Sequence, residues 1–376
     1  MTVKRLRVAI ITKSMLIGYG VDEIVNFLGE KLSQGGFDVE VLATKNEYSN
    51  REYRTIIYKV GALPFANEYW NNNFLIDLRS FFSITSALIK NDVIVTVDPM
   101  HIVGALSKTL FRKKVVMYFF GVPPPKVLDT FLRKAESVRQ TLLWNLSFFF
   151  TNRLVTNSFY TKNLVSSLLR GKTTVNYHGI DHLVCHEKEK AIKLREDLDV
   201  RERKLILSVG RFSTPYKGMG EMLEIFNLFH QPENAVLLLV GRGSMLDLGV
   251  QNLPDNVKVL SNVSTEMMKN CFGACDVYCT CSKWEGFNLP LVAAQANGKP
   301  VIAYNVGAHS EMVTVGESGF IVENPAQFLS RLRLLVDDES IRRKMGEKAR
   351  IAVSKFTWDK SARNFQKILY QVMSKQ

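Results

Sequence analysis

The chain has 376 residues, of which 46% are hydrophobic and 23% charged, and its formal net charge is +13. This length predicts two domains, and the composition excludes an intrinsically disordered protein. No apolar stretch approaches the roughly 18 residues that span a bilayer. Residues 1–16 lack the long apolar core and the small-residue cleavage site of a signal peptide. We therefore expect a cytoplasmic protein.

The positive charge is concentrated in the first half of the chain. Residues 1–182 carry 23 Lys and Arg against 14 Asp and Glu, a net charge of +9, and the remainder carries 26 against 22, a net charge of +4. Such an excess suits an anionic acceptor or the headgroup layer of an anionic membrane. No motif supports nucleic-acid binding, so we expect none. An ordinary solvated surface is the alternative to an anionic partner.

Four of the five cysteines lie close together, at Cys271, Cys275, Cys279 and Cys281. The first two share a face of a predicted helix, and the last two share the inner face of the next predicted strand. Small buried thiols explain this pattern without a metal ion. We expect reduced cysteines, which agree with a cytoplasmic protein, and no metal site.

The first half begins with a predicted βαβ unit. Apolar residues predict a strand over 7–12, a helix from about residue 24 to 34 and a second strand over 37–43. Gly18 and Gly20 lie in the loop between the first strand and the helix. Glycines at that point allow the backbone to approach a ligand.

Two further buried strands, 92–97 and 114–120, are predicted in this half. His101 follows the first of them, and Phe119 and Phe120 end the second. These three residues, with His178 near a later strand end, are candidates for a binding site in this half. A histidine at a strand end is more often structural, and that alternative stays open for His101.

Residues 126–150 predict an amphipathic helix that carries both cationic and aromatic residues. This combination suits the surface of an anionic membrane. A helix that faces the core and keeps a polar outer side fits the pattern equally well. The charged segment 187–203 is predicted to be a linker between domains.

The second half opens on a predicted strand, 205–209, that ends at Gly210 and Arg211, with Lys217 and Gly218 close behind. Two cations beside glycines at a strand end suit an anionic ligand.

Three more loops follow predicted strands in this half. Gly241 ends the strand at 235–241 and Gly243 follows it, and Glu311 lies in the loop after the strand at 301–304. The most informative loop follows the strand at 277–281 and leads into a short helix that begins near Pro290. Its residues are Glu285, Gly286, Phe287, Asn288 and Leu289.

This strand, glycine turn and helix N-terminus form a predicted anion site at the carboxyl edge of a parallel sheet. The N–H groups of the first helical turn are unpaired and the helix dipole is positive there, so a phosphate group is favoured. Glu285 would accept hydrogen bonds from sugar hydroxyls. The alternative is an ordinary βαβ crossover with a glutamate that faces solvent.

The sequence E-G-F-N-L-P at 285–290 resembles the E-G-F-G-L-P signature of the family-four retaining glycosyltransferases, which adopt the GT-B fold of two Rossmann-like domains. Matches upstream are V-G-R-F with a later K-G, and V-G-R-G-S; matches downstream are G-K-P-V-I-A, V-G-A-H-S-E and G-F-I-V. The resemblance covers nearly the whole chain and is strong over residues 204–325.

The resemblance implies an α/β protein with a donor held in the cleft between its domains. An acceptor-binding domain spans 1–182, a nucleotide-sugar-binding domain spans 183–356, and a C-terminal helix at 357–376 packs back on the first domain. The implied reaction transfers a hexose from a nucleotide-diphosphate sugar to the hydroxyl of a glycan, a lipid-linked acceptor or a small molecule. It proceeds with retention of configuration and without a metal or other cofactor. The expected location is the cytoplasm, including the inner face of a membrane.

The resemblance also implies roles for individual residues. Arg211 and Lys217 match the pair that clamps the donor diphosphate, and Glu285 matches the residue that contacts the sugar. Glycine loops and the turn after Glu285 match donor-binding segments, at Gly18, Gly20, Gly210, Gly218, Gly241, Gly243, Gly286, Phe287, Asn288, Leu289 and Glu311.

Three departures from the family pattern are visible. The second glutamate of the signature, which holds the ribose, is replaced by Ala293, and a glycine is replaced by Asn288. The loop that often carries a histidine near the sugar reads Tyr118-Phe119-Phe120. These departures leave open a non-catalytic GT-B partner subunit. A sugar-nucleotide epimerase is a third reading, but we can place no carboxylate base for it.

Overall fold

The computed structural model describes residues 5–18, 20–58, 74–200, 202–229, 233–249 and 252–374, with only the backbone described for 74–80. Contacts divide the chain into two compact units. One comprises Met1–Gly179 with Trp358–Gln376, and the other comprises Ile180–Thr357.

A seven-stranded sheet forms the first unit. Its strands are β1 Arg7–Ile11, β2 Asp38–Ala43, β3 Arg54–Ile57, β4 Val93–Val97, β5 Lys114–Phe119, β6 Arg153–Thr156 and β7 Thr173–Val175. They are parallel, in the order β3-β2-β1-β4-β5-β6-β7. Every residue of β4 is buried, because helices cover both faces of such a sheet and select continuous apolar runs. The helices are α1 Gly20–Gln34, α2 Phe74–Lys90, α3 His101–Phe111, α4 Phe131–Phe148 and α5 Phe159–Leu164.

The C-terminal helix completes the first unit. This helix, α13 Trp358–Ser374, packs against α1 and β5. Its apolar face is fully buried at Phe365, which stacks on Tyr118 of β5 with ring centroids 5.7 Å apart. Trp358 stacks on Phe27 of α1 at 5.0 Å.

A six-stranded parallel sheet forms the second unit. Its strands are β8 Lys204–Val209, β9 Ala235–Gly241, β10 Val257–Ser261, β11 Val277–Thr280, β12 Val301–Tyr304 and β13 Gly319–Val322. The strands are in the order β10-β9-β8-β11-β12-β13, so the chain proceeds outward in one direction from β8 and in the other direction from β11. Ligands of open α/β sheets bind outside the carboxyl ends of strands at such a switch point. The helices are α6 Lys188–Asp197, α7 Met219–Asn227, α8 Thr265–Ala274, α9 Leu289–Ala296, α10 His309–Met312, α11 Pro325–Asp337 and α12 Glu339–Val353.

The prediction of a linker over 187–203 is wrong for most of that segment. Residues 188–197 form α6, which packs against α8 through the buried Ala191 and Leu194. Arg195 fixes the helix end, because its guanidinium donates to Asp276 Oδ2 at 2.9 Å and to the carbonyl of Ala274 at 2.7 Å. With only two buried residues, the helix leaves a weak apolar signal in the sequence.

The cysteine cluster lies inside the second unit. Cys271, Cys275, Cys279 and Cys281 are fully buried free thiols. Burial raises the pKa of Cys271 and Cys275 to about 12, so both are protonated at neutral pH. Across the part of the chain that the structure describes, no helix is long and apolar enough to cross a membrane.

The packing of α13 generates a prediction about the first unit. Phe365→Ala should lower the free energy of unfolding by about 3–5 kcal/mol, the usual cost of removing a buried phenylalanine. Lys367→Ala is the control, since Lys367 is exposed on the same helix. Urea unfolding followed by circular dichroism measures both. Equal stabilities for the two variants would mean that α13 is not part of the folded unit.

Candidate functional site

Four loops of the second unit meet at the carboxyl edge of its sheet. Strand β8 is paired with both β9 and β11, and β11 is paired with β12. Because these strands are parallel, the segments that follow them lie at one edge. The loops begin at Gly210, Arg242, Cys281 and Asn305. Most of the predicted donor-side residues of the second unit lie on them.

Lys217 and Glu285 form an ion pair at this edge. The ammonium Nζ of Lys217 lies 2.7 Å from Glu285 Oε1, and both side chains are largely buried. Lys217 ends a short 3-10 turn, Pro215–Lys217, whereas Glu285 belongs to the loop after β11. An ammonium has three donors, so Lys217 keeps two beyond the one that Glu285 accepts.

Two backbone contacts hold that turn against the loop. The N–H of Lys283 donates to the carbonyl of Tyr216 at 2.7 Å. Gly218 has a φ of 65° and lies so close to the carbonyl of Cys281 that a Cβ atom would collide with it. Glycine is therefore required at this position on two grounds, and Lys217 is fixed beside Glu285 by the backbone.

Arg211 lies at the same edge and is exposed. Its Nη2 donates to the hydroxyl of Tyr216 at 3.1 Å, and the Tyr216 ring contacts Trp284 edge-on at 6.0 Å. Lys283 adds a further cation, paired with Glu221 and placed 4.4 Å above the Tyr304 ring. Neither Tyr216, which directly precedes Lys217, nor Lys283, two residues before Glu285, was predicted from the sequence to be a site residue.

Asn288 is in the left-handed conformation, with φ of 62°, where the family signature has glycine. Asparagine is one of the few other residues that tolerate this conformation. Its Oδ1 caps α9 by accepting from the N–H of Leu291 at 3.2 Å. Its Nδ2 lies 2.8 Å from Nε2 of His309, whose Nδ1 lies 2.8 Å from the carbonyl of Tyr304.

This contact assigns the tautomer of His309. A carbonyl only accepts, so Nδ1 carries the proton and Nε2 accepts from the Asn288 amide. The ring is fully buried, and this burial lowers the pKa of His309. The histidine is therefore neutral, and it joins the turn after Glu285 to the loop after β12. The sequence offered no sign of this pair.

The remaining donor-side candidates of the second unit lie at the end of β9 and just after it, in the turn after Glu285, and in α9 and α10. Gly241 lies against the carbonyl of Gly210 with no room for a Cβ atom, and Gly243 follows in the same loop. Phe287 is buried and contacts Phe356 edge-on at 5.6 Å. The buried Gly286, the half-buried Leu289 at the first position of α9, and the half-buried Glu311 on α10 complete this set.

The candidates of the first unit lie at the carboxyl edge of its own sheet. Gly18, with φ of 79°, follows β1, and Gly20 begins α1. His101 is fully buried at the start of α3, with Nε2 against the Asp98 carboxylate.

The four acceptor-side candidates of the first unit lie in two aromatic clusters. His101 contacts Phe119, Trp144 and Phe148, with centroid distances of 5.1–6.4 Å. Phe120 contacts His178 at 5.4 Å, and burial lowers the pKa of His178 to about 3. The structure thus pairs His101 with Phe119, and Phe120 with His178, inside the first unit.

A separate cavity of about 680 Å³ lies in the second unit, at the opposite edge of its sheet. Its lining includes Asp276 and Lys299, which precede β11 and β12. Two of its cations are used internally, since Arg195 donates to Asp276 and Lys299 donates to the carbonyl of Gly273 at 2.8 Å. The cavity therefore lies apart from the loops that carry Lys217 and Glu285.

Comparisons with known proteins agree on the class of this chain. Residues 190–352 match the family described as glycosyl transferases group 1. An uncharacterized glycosyltransferase of Methanocaldococcus jannaschii is 22% identical over 349 residues, which cover 90% of this chain and 91% of that protein.

Two solved structures show the fold of the whole chain. A sucrose-phosphate synthase from Thermosynechococcus elongatus superposes with a TM-score of 0.85 at 19% identity, covering 99% of this chain and 100% of that one. Anabaena HepE, solved in complex with UDP-glucose, superposes with a TM-score of 0.78 at 18% identity, covering 98% and 100%. The fold is GT-B, and the predicted fold class is confirmed.

The neutral state of His309 generates a prediction about pH. Its pKa is lower in the folded chain than the value of about 6.5 in the unfolded chain. The unfolded state therefore binds the proton first, and stability is lost as the pH falls below about 6.5, by up to about 1.4 kcal/mol per pH unit.

His309→Gln should remove this part of the pH dependence while it keeps a donor and an acceptor in place. Urea unfolding at about pH 7 and about pH 5.5 measures the difference between the two proteins. Equal pH slopes for the wild type and the variant would contradict a neutral, buried His309.

Proposed function

We infer, from the match of residues 190–352 to the glycosyl transferases group 1, that this chain is a glycosyltransferase that uses a nucleotide-diphosphate sugar. We propose that it moves a hexose to an acceptor hydroxyl with retention of configuration and without a metal ion. The observation that carries the proposal is the placement of Lys217, Glu285 and Arg211 at the switch point of the second sheet.

Arg211 and Lys217 are proposed to bind the donor diphosphate. When the bond to the sugar breaks, negative charge grows on the leaving diphosphate and must be stabilised. Arg211 offers a planar fork of donors and Lys217 a compact charge. The N-terminus of α9 contributes unpaired N–H groups and the positive end of its dipole. Gly210, Gly218, Gly241 and Gly243 let the backbone approach the donor, a role we also propose for Gly18 and Gly20.

Glu285 is proposed to accept hydrogen bonds from hydroxyls of the transferred sugar. The carboxylate is held by Lys217 at 2.7 Å and is nearly buried, so its orientation is fixed before the donor binds. Fixed acceptors of this kind stabilise a developing charge without reorganisation. The turn formed by Gly286, Phe287, Asn288 and Leu289, together with Glu311, would complete the donor side.

The proposed mechanism keeps both partners on one face of the sugar. The bond between the anomeric carbon and the diphosphate oxygen breaks, and its electron pair leaves with the phosphate. The acceptor oxygen forms the new bond on the same face, and its proton passes to the leaving phosphate. The complex of the related HepE with UDP-glucose supports a nucleotide sugar as the donor.

Ala293 is the point where the site departs from the family. It is fully buried in α9, and the ribose would lack a charged hydrogen bond of roughly 1.5–3 kcal/mol. Gln295 is not placed to replace that contact, because it is fully buried and its Nε2 donates to the carbonyl of Met312 at 2.9 Å. This loss is the reason that a second candidate, a non-catalytic GT-B partner subunit, stays open.

The acceptor is proposed to be a glycan or a lipid-linked molecule, bound through the first unit, where His101, Phe119, Phe120 and His178 are the candidate residues. The excess of positive charge in residues 1–182 supports contact with an anionic membrane. The protein would act in the cytoplasm or at the inner face of a membrane.

A panel of nucleotide sugars that differ in base and in sugar tests the function. We expect slow hydrolysis of one donor even without acceptor. Arg211→Ala and Lys217→Ala should each lower its turnover by about 10²-fold or more, roughly 2.7 kcal/mol or above. Lys344→Ala, an exposed cation on α12, is the control. Retained turnover in either clamp variant would remove that residue from the diphosphate site, and a panel with no active donor would favour the partner subunit.

Glu285→Gln tests the sugar contact. Transfer should slow strongly, whereas the affinity for the nucleoside diphosphate alone should stay the same or rise, because Lys217 loses its anionic partner. Calorimetric titration with the diphosphate and with the nucleotide sugar measures both affinities. A parallel loss of both would place Glu285 at the nucleotide instead of the sugar.

A further inference from the structure

Helix α4 has apolar residues on two opposite faces. Its inner face is buried at Trp144 and Phe148, which pack on His101 and Phe119 in the core of the first unit. Leu142 precedes Trp144 by two positions, which places it about 200° around the helix. Leu142 therefore points away from the core, and it is 67% exposed.

Four other exposed apolar residues share the side of Leu142. The intervals between them are seven, four, four and three residues, which keep side chains on one face of a helix. We call this face the outward stripe. Its members and their exposed fractions are Phe131 at 82%, Val138 at 48%, Leu142 at 67%, Leu146 at 61% and Phe149 at 50%.

Contact with water does not favour a row of large apolar side chains. Scattered apolar residues are normal on a surface, but a continuous row of large ones marks an interaction site. This row runs the length of an 18-residue helix. The segment that carries Leu168 lies near the end of α4, because Lys172 donates to the carbonyl of Phe149 at 3.1 Å. Leu168 is itself 80% exposed.

The surroundings of the outward stripe are cationic. Residues 121–172 contain eight Lys and Arg against two Asp and Glu. Both acids are already paired, Asp129 with Arg133 at 3.0 Å and Glu136 with Arg139 at 2.6 Å. Lys134 is exposed beside the stripe.

We propose that the outward stripe of α4 docks on an anionic lipid bilayer and lies in its interface. An amphipathic helix with an apolar face and flanking cations binds there through buried apolar area and attraction to anionic headgroups. A second copy of this chain is a poorer occupant. A symmetric dimer would bring two cationic surfaces of the same kind together. The proposal deepens the proposed function, because it names the face through which the first unit reaches a membrane.

Flotation of the full-length protein with vesicles tests the proposal without any donor or acceptor. We expect binding to vesicles of equal parts phosphatidylcholine and phosphatidylglycerol, weak binding to phosphatidylcholine alone, and a decline as salt is raised. Leu142→Gln with Leu146→Gln should lower binding to the anionic vesicles by about tenfold or more, since two apolar side chains lose their buried area. Ile351→Gln is the matched control, because Ile351 is 73% exposed on α12 of the other unit.

A tryptophan probe checks the same face independently. Phe149→Trp should show blue-shifted emission and quenching by brominated phosphatidylglycerol, whereas Ile351→Trp should show neither. Equal vesicle binding by the wild type and the double glutamine variant would overturn the proposal, and so would a concentration-dependent dimer that the double variant abolishes. Hydrolysis of the donor in solution is measured separately. A protein that binds vesicles but hydrolyses no donor would contradict the proposed function and leave the membrane contact supported.

Discussion

The candidate site depends on one local contact, the docking of the Pro215–Lys217 turn on the loop after β11. The N–H of Lys283 bonds to the carbonyl of Tyr216, and Gly218 packs against the carbonyl of Cys281 without space for a side chain. Both segments follow strands that are neighbours in the sheet, β8 and β11. The topology therefore brings a cation and a carboxylate together over 68 residues of sequence, and the backbone holds them at 2.7 Å.

The neighbouring turn shows how a departure from a sequence pattern is accommodated. Glycine would meet the left-handed conformation at position 288 at no cost, whereas asparagine needs compensation. The compensation is visible: Asn288 caps α9 with its oxygen and donates to a neutral, buried His309 with its nitrogen. The amide is satisfied on both sides, so it adds a side-chain link between two loops that the N–H of Ala308 also joins by donating to the carbonyl of Glu285 at 3.0 Å.

The sequence predicted much of the fold, because parallel strands that are covered on both faces consist of apolar runs. The spacing around Glu285 also predicted the edge of the sheet at which Lys217 lies. The sequence could not show the Asn288–His309 contact, because the two residues are joined only by the adjacency of their strands. It predicted a linker where α6 lies, because the two buried residues of this helix give almost no periodic signal. For α4 the sequence left two interpretations open, a helix that faces a membrane or a helix that faces the core. The helix has one apolar face toward the core and another toward solvent, and periodicity alone does not separate the two.

The loss of the ribose-binding glutamate does not by itself argue against catalysis. On the proposed function, a glutamate at the position of Ala293 would bind the ribose equally in the ground state and in the transition state. Removing uniform binding raises KM and leaves kcat unchanged, whereas removing Lys217 or Arg211 would act on charge that grows only in the transition state. Ala293 itself is fully buried in α9. On the proposed function, a chain that keeps the fixed Lys217–Glu285 pair and lacks the ribose contact is expected to work at high donor concentration instead of being inactive.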